Sequence, residues 1–67
     1  METGTVKWYK EDKGYGFLAR DGGGEDILVH FRDIEAIGLR RLYEGQRVKF
    51  NVVQGPRGPQ AKNIQLI

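Results

Sequence analysis

The chain contains neither cysteine nor serine, and it has a single histidine. The missing cysteine excludes disulfides and thiolate metal sites, so the fold depends on its apolar core and its backbone hydrogen bonds. Serine and cysteine nucleophiles and two-histidine metal sites are excluded as well, so we expect no enzymatic activity, no metal and no other cofactor. Asp21, Glu25 and Asp26 surround a run of glycines, but they lack the spacing of a calcium-binding EF-hand loop and are typical of a polar turn.

Long apolar runs are also missing, since no stretch approaches the roughly 18 residues that a membrane-spanning helix requires. The start, Met-Glu-Thr-Gly, lacks the basic and apolar segments of a secretory signal, so we expect a cytoplasmic protein with no membrane partner. With 67 residues there is room for one domain, residues 1–67, of marginal stability, and we expect it to be a monomer.

A strong excess of one charge is absent too, because the net charge of +2 is too small to indicate a polyanion partner by itself. The charges are nevertheless distributed unevenly. Residues 1–31 carry four basic and six acidic groups, whereas residues 32–67 carry seven basic and three acidic groups. The basic second half supports an anionic partner without establishing one.

Glycine is abundant, and ten glycines separate short runs in which apolar and polar residues alternate. This pattern is typical of β-strands between tight turns. Five strands are predicted, over residues 3–10, 15–20, 26–31, 46–54 and 61–67. Val48, Phe50 and Val52 are expected to face inward from the fourth strand. Ile64 and Leu66 are expected to do so from the fifth.

The longest connection follows the third strand. Asp33 is a candidate cap for a short helical turn containing Ile34 and Ile37, but the segment is too short for an independent amphipathic helix. Five short strands with one long loop after the third predict an all-β fold, a small five-stranded antiparallel OB-fold barrel whose closure protects most strand edges. An SH3-like barrel has the same number of strands and stays open as an alternative.

Two motifs carry the functional signal: Lys-Gly-Tyr-Gly-Phe-Leu at residues 13–18 and Ile-Leu-Val-His-Phe at residues 27–31. Because side chains alternate between the two faces of a strand, Leu18, Ile27 and Val29 are assigned to the core. The outward face then receives Tyr15, Phe17, Leu28 and His30. Outward rings beside lysine form a surface on which unpaired bases can stack, so we expect single-stranded nucleic acid as the ligand.

The residues around Tyr15 fit this interpretation. Gly14 and Gly16 lack β-carbons, so we expect them to leave space for a base or phosphate against the ring. Lys13 can neutralise a phosphate, the contact that dominates affinity and makes it fall with salt. Taken alone, the motif is also compatible with a glycine-rich strand whose rings pack over a neighbouring strand.

Three further rings need interpretation. His30 has no second metal ligand beside it, and we interpret it as a ring that stacks and donates to phosphate. Phe31 breaks the alternation, so we expect the strand to end there with this ring on the rim. Trp8 is ambiguous, because strict alternation places it with the core residue Val6, whereas a β-bulge would rotate it outward.

Four segments resemble a bacterial-type cold-shock domain: Gly-Thr-Val-Lys-Trp at 4–8, Lys-Gly-Tyr-Gly-Phe at 13–17, Val-His-Phe at 29–31 and Gly-Pro-Gln-Ala at 58–61. The likeness extends over essentially the whole chain. Its motifs are specific, since an RNA recognition motif domain has them in the opposite order and needs two helices. The resemblance implies an OB barrel that binds single-stranded RNA and DNA and acts as an RNA chaperone. Roles in transcription antitermination, translation or adaptation to cold are implied with it.

The family's binding residues transfer to the matching positions of this chain. By this resemblance the stacking positions are Trp8, Tyr15, Phe17, His30 and Phe31. The positions that contact the backbone or base edges are Lys7, Lys13, Asp26, Arg57 and Gln60. The resemblance also favours an outward Trp8, a step that periodicity does not justify.

Family members commonly carry phenylalanine where this chain has Leu28 and Leu39, so two stacking rings are missing. A base stacked on a ring contributes about 1–3 kcal/mol, and leucine retains only the apolar contact. Arg40 and Arg41 follow Leu39, and a guanidinium can also lie flat on a base. We keep Leu28, Leu39 and Arg40 in the predicted site. We expect weaker binding and a steeper salt response than in a member with all its rings.

A second functional hypothesis is a protein-interaction barrel whose aromatic face docks a proline-rich peptide. Such grooves commonly use acidic residues for basic ligands, whereas Lys7, Lys13 and Arg57 flank this face. The charges therefore favour nucleic acid.

Overall fold

The computed structural model describes residues 1–35 and 41–67 of the chain. Within these residues it contains five strands and one turn of 3₁₀ helix. They are β1 (Glu2–Lys10), β2 (Tyr15–Arg20), β3 (Ile27–His30), the 3₁₀ turn (Phe31–Asp33), β4 (Arg47–Gly55) and β5 (Gly58–Leu66). The five predicted strands are confirmed with ends that shift by at most one residue, except that β5 begins three residues earlier.

The strands close into a barrel in the order β1-β2-β3-β5-β4, which confirms the predicted all-β five-stranded barrel. Neighbouring strands are antiparallel except β3 and β5, which run parallel with Leu28 opposite Gln60. The predicted antiparallel arrangement thus holds for four of the five strand pairs. Strand directions cannot alternate all the way around a closed barrel of five strands, because five is an odd number.

Aliphatic side chains and one phenylalanine fill the described part of the barrel interior. The buried residues are Val6, Leu18, Ile27, Val29, Ile34, Leu42, Val48, Phe50, Ala61 and Ile64. The predicted inward positions on β2, β3 and β4 are thus confirmed, and Val52 is partly buried against this core. Burial of these side chains is the main stabilising contribution in a chain without disulfides.

β5 departs from strict alternation. Ala61 and Ile64 are both buried although they are three residues apart. Asn63 between them has a positive φ of 55°, and the register with β4 shifts at this point. Leu66, the last residue of β5, is 41% exposed. Its predicted place in the core is therefore wrong, because the end of the barrel leaves it uncovered.

The segment after β3 does turn, but Asp33 is not its cap. His30 Nδ1 accepts a hydrogen bond from the backbone N–H of Arg32 (3.3 Å), so the turn begins at Phe31 and ends at Asp33. Ile34 follows the turn and is buried, whereas Ile37 lies outside the described residues. Nowhere in residues 1–35 and 41–67 is there a helix long and apolar enough to cross a bilayer.

Candidate nucleic-acid interface

A β-bulge in β1 decides the orientation of Trp8. Val6 lies opposite Leu18, but Trp8 lies opposite the adjacent residue Phe17, so Lys7 is the extra residue of the bulge. An extra residue reverses the alternation beyond it. Val6 is therefore buried, whereas Trp8 is half-buried and shares the outward face of Phe17. Of the two orientations that the sequence pattern leaves open, the outward one is found.

Trp8, Tyr15 and Phe17 form one aromatic cluster. The centroid of the Trp8 ring lies 5.3 Å from that of Phe17 and 5.7 Å from that of Tyr15. The ring planes meet at 53° and 73°, so the rings are tilted against one another rather than stacked. Lys10 Nζ lies 5.8 Å from the Trp8 centroid, within reach of a cation–π interaction. Sequence reasoning did not single out Lys10.

The register between β2 and β3 extends this surface. Tyr15 lies opposite His30, and Phe17 lies opposite Leu28. All four side chains are half-buried, and the residues between them face the core, as predicted. We call this outward surface the stacking face and define it as Trp8, Tyr15, Phe17, Leu28 and His30. Because Leu28 lies opposite Gln60, the surface continues onto β5.

Phe31 closes one end of the stacking face. β3 ends at His30, and the Phe31 ring lies 4.7 Å from the His30 ring with an interplanar angle of 33°. A Cβ on Gly14 would lie 2.7 Å from the Phe31 ring, and one on Gly16 would collide with the backbone of β1. The expectation that these glycines clear space for a ligand is therefore wrong, because protein atoms fill both spaces.

A groove of about 640 Å³ lies over the stacking face. Tyr15, Phe17, Leu28 and His30 line it on the β2 and β3 side. The predicted contact residues Lys13, Asp26, Arg57 and Gln60 also line it. Lys13 and Arg57 are exposed, so their charges are available to an anionic ligand in the groove. The sequence motifs thus converge on one concave surface, which is lined by rings, by the cations Lys13 and Arg57 and by the carboxylates Glu25 and Asp26.

Lys7 and Asp26 bind each other beside this groove. Lys7 Nζ lies 2.9 Å from Asp26 Oδ2, and the two side chains are 49% and 42% exposed. An exposed ion pair of this kind contributes about 0–1 kcal/mol, so a ligand can separate it at small cost. Both predicted contact residues are therefore present at the site, and they are partners of each other.

Asp33 and Lys62 accompany Gln60, and sequence reasoning placed neither of them in the site. Asp33 accepts hydrogen bonds from Gln60 Nε2 (3.2 Å) and from Lys62 Nζ (3.0 Å). Ala61 is buried, so its neighbours Gln60 and Lys62 both point out of the barrel. Side chains alternate between inward and outward along β5, so an inward Ala61 predicts an outward Lys62. This was the sequence signal that could have placed Lys62 in the site.

Part of the predicted site lies outside the described residues, namely Leu39 and Arg40. Arg41 is described and has protein partners on two sides. Its Nη1 lies 3.1 Å from Glu11 Oε2, and its guanidinium carbon lies 4.2 Å from the centroid of the Tyr43 ring. Arg41 is therefore engaged within the protein rather than presented to the groove.

Residues 2–67 match the model of the "Cold-shock" DNA-binding domain. The chain belongs to this family. It is 55% identical over 64 residues to cold shock protein ScoF of Streptomyces coelicolor, covering 96% of each chain. It is 60% identical over 62 residues to cold shock-like protein CspA of Shewanella violacea, covering 92% of this chain and 89% of the relative. The Bordetella pertussis CspA is 51% identical over 67 residues, the full length of both chains.

A solved structure shares the fold. The Drosophila Unr CSD456 structure superposes with a TM-score of 0.82 at 24% identity, covering 98% of this chain and 26% of that one. The family match places the protein among nucleic-acid-binding domains. The family predicted from the motifs is thereby confirmed.

Proposed function

We propose that the protein binds single-stranded RNA and DNA by stacking unpaired bases on the stacking face. The observation that carries this proposal is the aromatic cluster, in which the outward Trp8 ring lies 5.3 Å from Phe17 and 5.7 Å from Tyr15, beside a groove with exposed cations. Half-buried rings keep surface for a ligand, and every base has a face that can stack. Binding by stacking therefore tolerates many sequences.

The proposed site combines two kinds of contact. Stacking and apolar contacts come from Trp8, Tyr15, Phe17, Leu28, His30 and Phe31. Contacts to the backbone or to base edges come from Lys7, Lys13, Asp26, Arg57 and Gln60. Leu39 belongs to the proposal through the resemblance, and Arg40 belongs to it because its guanidinium can lie flat on a base. A site of this size accommodates about five to seven nucleotides, within the range for an OB fold, with a mild preference for pyrimidines.

Chaperone activity follows from this binding without any chemical step. A protein that binds only the unpaired strand shifts a hairpin towards its open form by mass action. We propose that the protein acts in this way on transcripts in the cytoplasm, as a monomer of one domain. Effects on transcription or translation would follow from the opened RNA.

Fluorescence of Trp8, the only tryptophan in the chain, tests the proposed function. A pyrimidine heptamer should quench it, and added salt should reverse the quenching because phosphate contacts release counterions. The same sequence in a duplex should quench far less, since its bases are not available for stacking. Quenching by a proline-rich peptide instead of the heptamer would support the protein-interaction hypothesis and overturn this one.

A hairpin labelled with a fluorophore and a quencher tests the chaperone activity. The protein should open it in proportion to occupancy of the unpaired strand. Quenching of Trp8 by the heptamer without any hairpin opening would leave single-strand binding in place and contradict the chaperone role.

A further inference from the structure

Lys62 and Gln60 converge on a single carboxylate. Lys62 Nζ lies 3.0 Å from Asp33 Oδ1, and Gln60 Nε2 lies 3.2 Å from Asp33 Oδ2. A cation and an amide donor thus hold the two oxygens of Asp33 separately. Two donors that grip two oxygens of one anionic group are also the arrangement that binds a phosphate.

This donor pair lies at the β5 side of the stacking face. Gln60 lies opposite Leu28 and lines the groove. Lys62 is the next outward residue of β5, because the intervening Ala61 is buried. Gln60 therefore faces the groove directly, and Lys62 lies beside it on the same face of β5.

Asp33 occupies the position between the two donors. Its side chain is only 11% exposed, whereas that of Lys62 is 43% exposed. Asp33 can hold this place because it ends the 3₁₀ turn that packs beside β5. The carboxylate therefore neutralises a lysine that would otherwise place a cation beside Gln60, next to the groove.

We infer that Lys62 and Gln60 form a phosphate-binding site that Asp33 occupies, so that Asp33 limits the affinity of the protein for single strands. This inference rests on the proposed function, since the ligand is a backbone phosphate of the bound strand. Its consequence is faster release, because the bound strand lacks one phosphate contact. A chaperone that must release its RNA benefits from such a limit.

The test compares the parent protein with Asp33→Asn, which retains the size of the side chain and removes its charge. Affinity for a pyrimidine heptamer is measured at several salt concentrations. One additional phosphate contact on a single strand steepens the dependence of log K on log salt by about 0.7. We expect Asp33→Asn to bind several-fold more tightly at about 50 mM salt, and this gain to shrink about 2.5-fold at about 200 mM.

Glu35→Gln is the matched control. It removes the same charge two residues further along, where Asn63 Nδ2 (2.8 Å) and Gln65 Nε2 (3.3 Å) hold the carboxylate and no cation is released. A general effect of net charge would appear equally in both variants. We expect the steeper salt dependence only in Asp33→Asn.

Lys62→Met provides the second variant. In the Asp33→Asn background it should return the salt dependence to that of the parent, because the added cation is lost. In the parent background it should leave the salt dependence unchanged, since Asp33 already neutralises Lys62. Where Asp33→Asn does not fold, a shallower salt dependence of Lys62→Met in the parent background still overturns the inference.

Two outcomes would overturn the inference while leaving the proposed function intact. One is an equal response of Asp33→Asn and Glu35→Gln. The other is a shallower salt dependence of Lys62→Met in the parent background, which would mean that Lys62 contacts phosphate with Asp33 in place. Failure of the parent itself to bind any single-stranded heptamer would overturn the proposed function together with this inference.

Discussion

Asp21 and Arg47 are joined by two parallel hydrogen bonds, each 2.7 Å long, between carboxylate and guanidinium. Thr3 Oγ1 donates a further bond of 2.5 Å to the same carboxylate, and Arg47 also donates to Thr5 Oγ1 at 2.9 Å. These contacts connect β1, the turn after β2 and the start of β4. The bonds from Arg47, and then that from Thr3, hold the pKa of Asp21 well below its ordinary value.

This lowered pKa makes the stability of the fold depend on pH. The folded state favours ionised Asp21, so the contribution of this group is complete above its ordinary pKa of 3.8 and is lost as pH falls through the lower value of the folded protein. We expect Asp21→Asn to be less stable than the parent at neutral pH. The difference should shrink as the pH falls below about 4. Urea midpoints measured over this range check the expectation.

Arg47→Gln removes the same pair from the other side and serves as its companion variant. Because the pair is exposed, about 1 M salt should reduce the stability difference from the parent. A difference between Asp21→Asn and the parent that stays constant from neutral to strongly acid pH would contradict the role given to this carboxylate.

Substitutions at Phe17 and Phe50 allow effects on nucleic-acid binding and on fold stability to be measured separately. The two residues are of the same type but lie on opposite sides of the barrel wall. Phe17 is half-buried on the stacking face, whereas Phe50 is fully buried in the core. Phe17→Ala should weaken heptamer binding by about 1–3 kcal/mol. Phe50→Leu should lower the free energy of unfolding by more than about 1 kcal/mol and leave the affinity of the folded protein unchanged. Heptamer titration and urea unfolding of both variants give the comparison, and equal binding losses would argue against the stacking role of Phe17.

Leu28→Phe should add a ring to the stacking face. Leu28 lies opposite Phe17 and lines the groove, so a phenylalanine there gains a flat face for a base. We expect tighter binding of oligothymidine, by part of the roughly 1–3 kcal/mol that stacking contributes. Titrations at several salt concentrations should show the gain at each of them, since stacking does not release counterions.

Leu66→Phe is the control, because it adds the same ring outside the groove. Leu66 is an exposed leucine six residues along β5 from Gln60. No gain at Leu28 would place it outside the contact surface.

The barrel and its outward face could be predicted from local pattern. Alternation in β2 and β3 was sufficient to assign Leu18 and Val29 to the core and Tyr15 and His30 to the surface. The alternation of apolar and polar residues did not predict side-chain orientation where a strand contains an extra residue. The bulge at Lys7 and the shift near Asn63 arise from pairing with neighbouring strands, which a single strand's periodicity does not contain.

The contacts within the site were less predictable than its rings. Asp33 lies 27 residues from Gln60 and 29 from Lys62, and only the closed barrel brings them together. The glycine spacing indicates a close neighbour at each position, but a missing β-carbon does not show whether that neighbour is ligand or protein. For Gly14 the neighbour is Phe31.

Gly14→Ala tests whether a glycine is needed at this position because the Phe31 ring packs against it. Gly14 has a φ of +73°, and a β-carbon there would lie 2.7 Å from the Phe31 ring. Backbone strain alone costs about 1–3 kcal/mol, and displacement of the ring adds to it. Gly22→Ala is the control, because nothing lies within 4 Å of its β-carbon position, so its unfolding free energy should change by at most about 0.5 kcal/mol. Urea unfolding should separate the two variants clearly.

Heptamer binding should also weaken in Gly14→Ala, because Phe31 moves away from the His30 ring. A Gly14→Ala protein as stable as the Gly22→Ala protein would contradict packing of Gly14 against Phe31. It would instead support the role predicted from the sequence, in which Gly14 leaves space for a ligand.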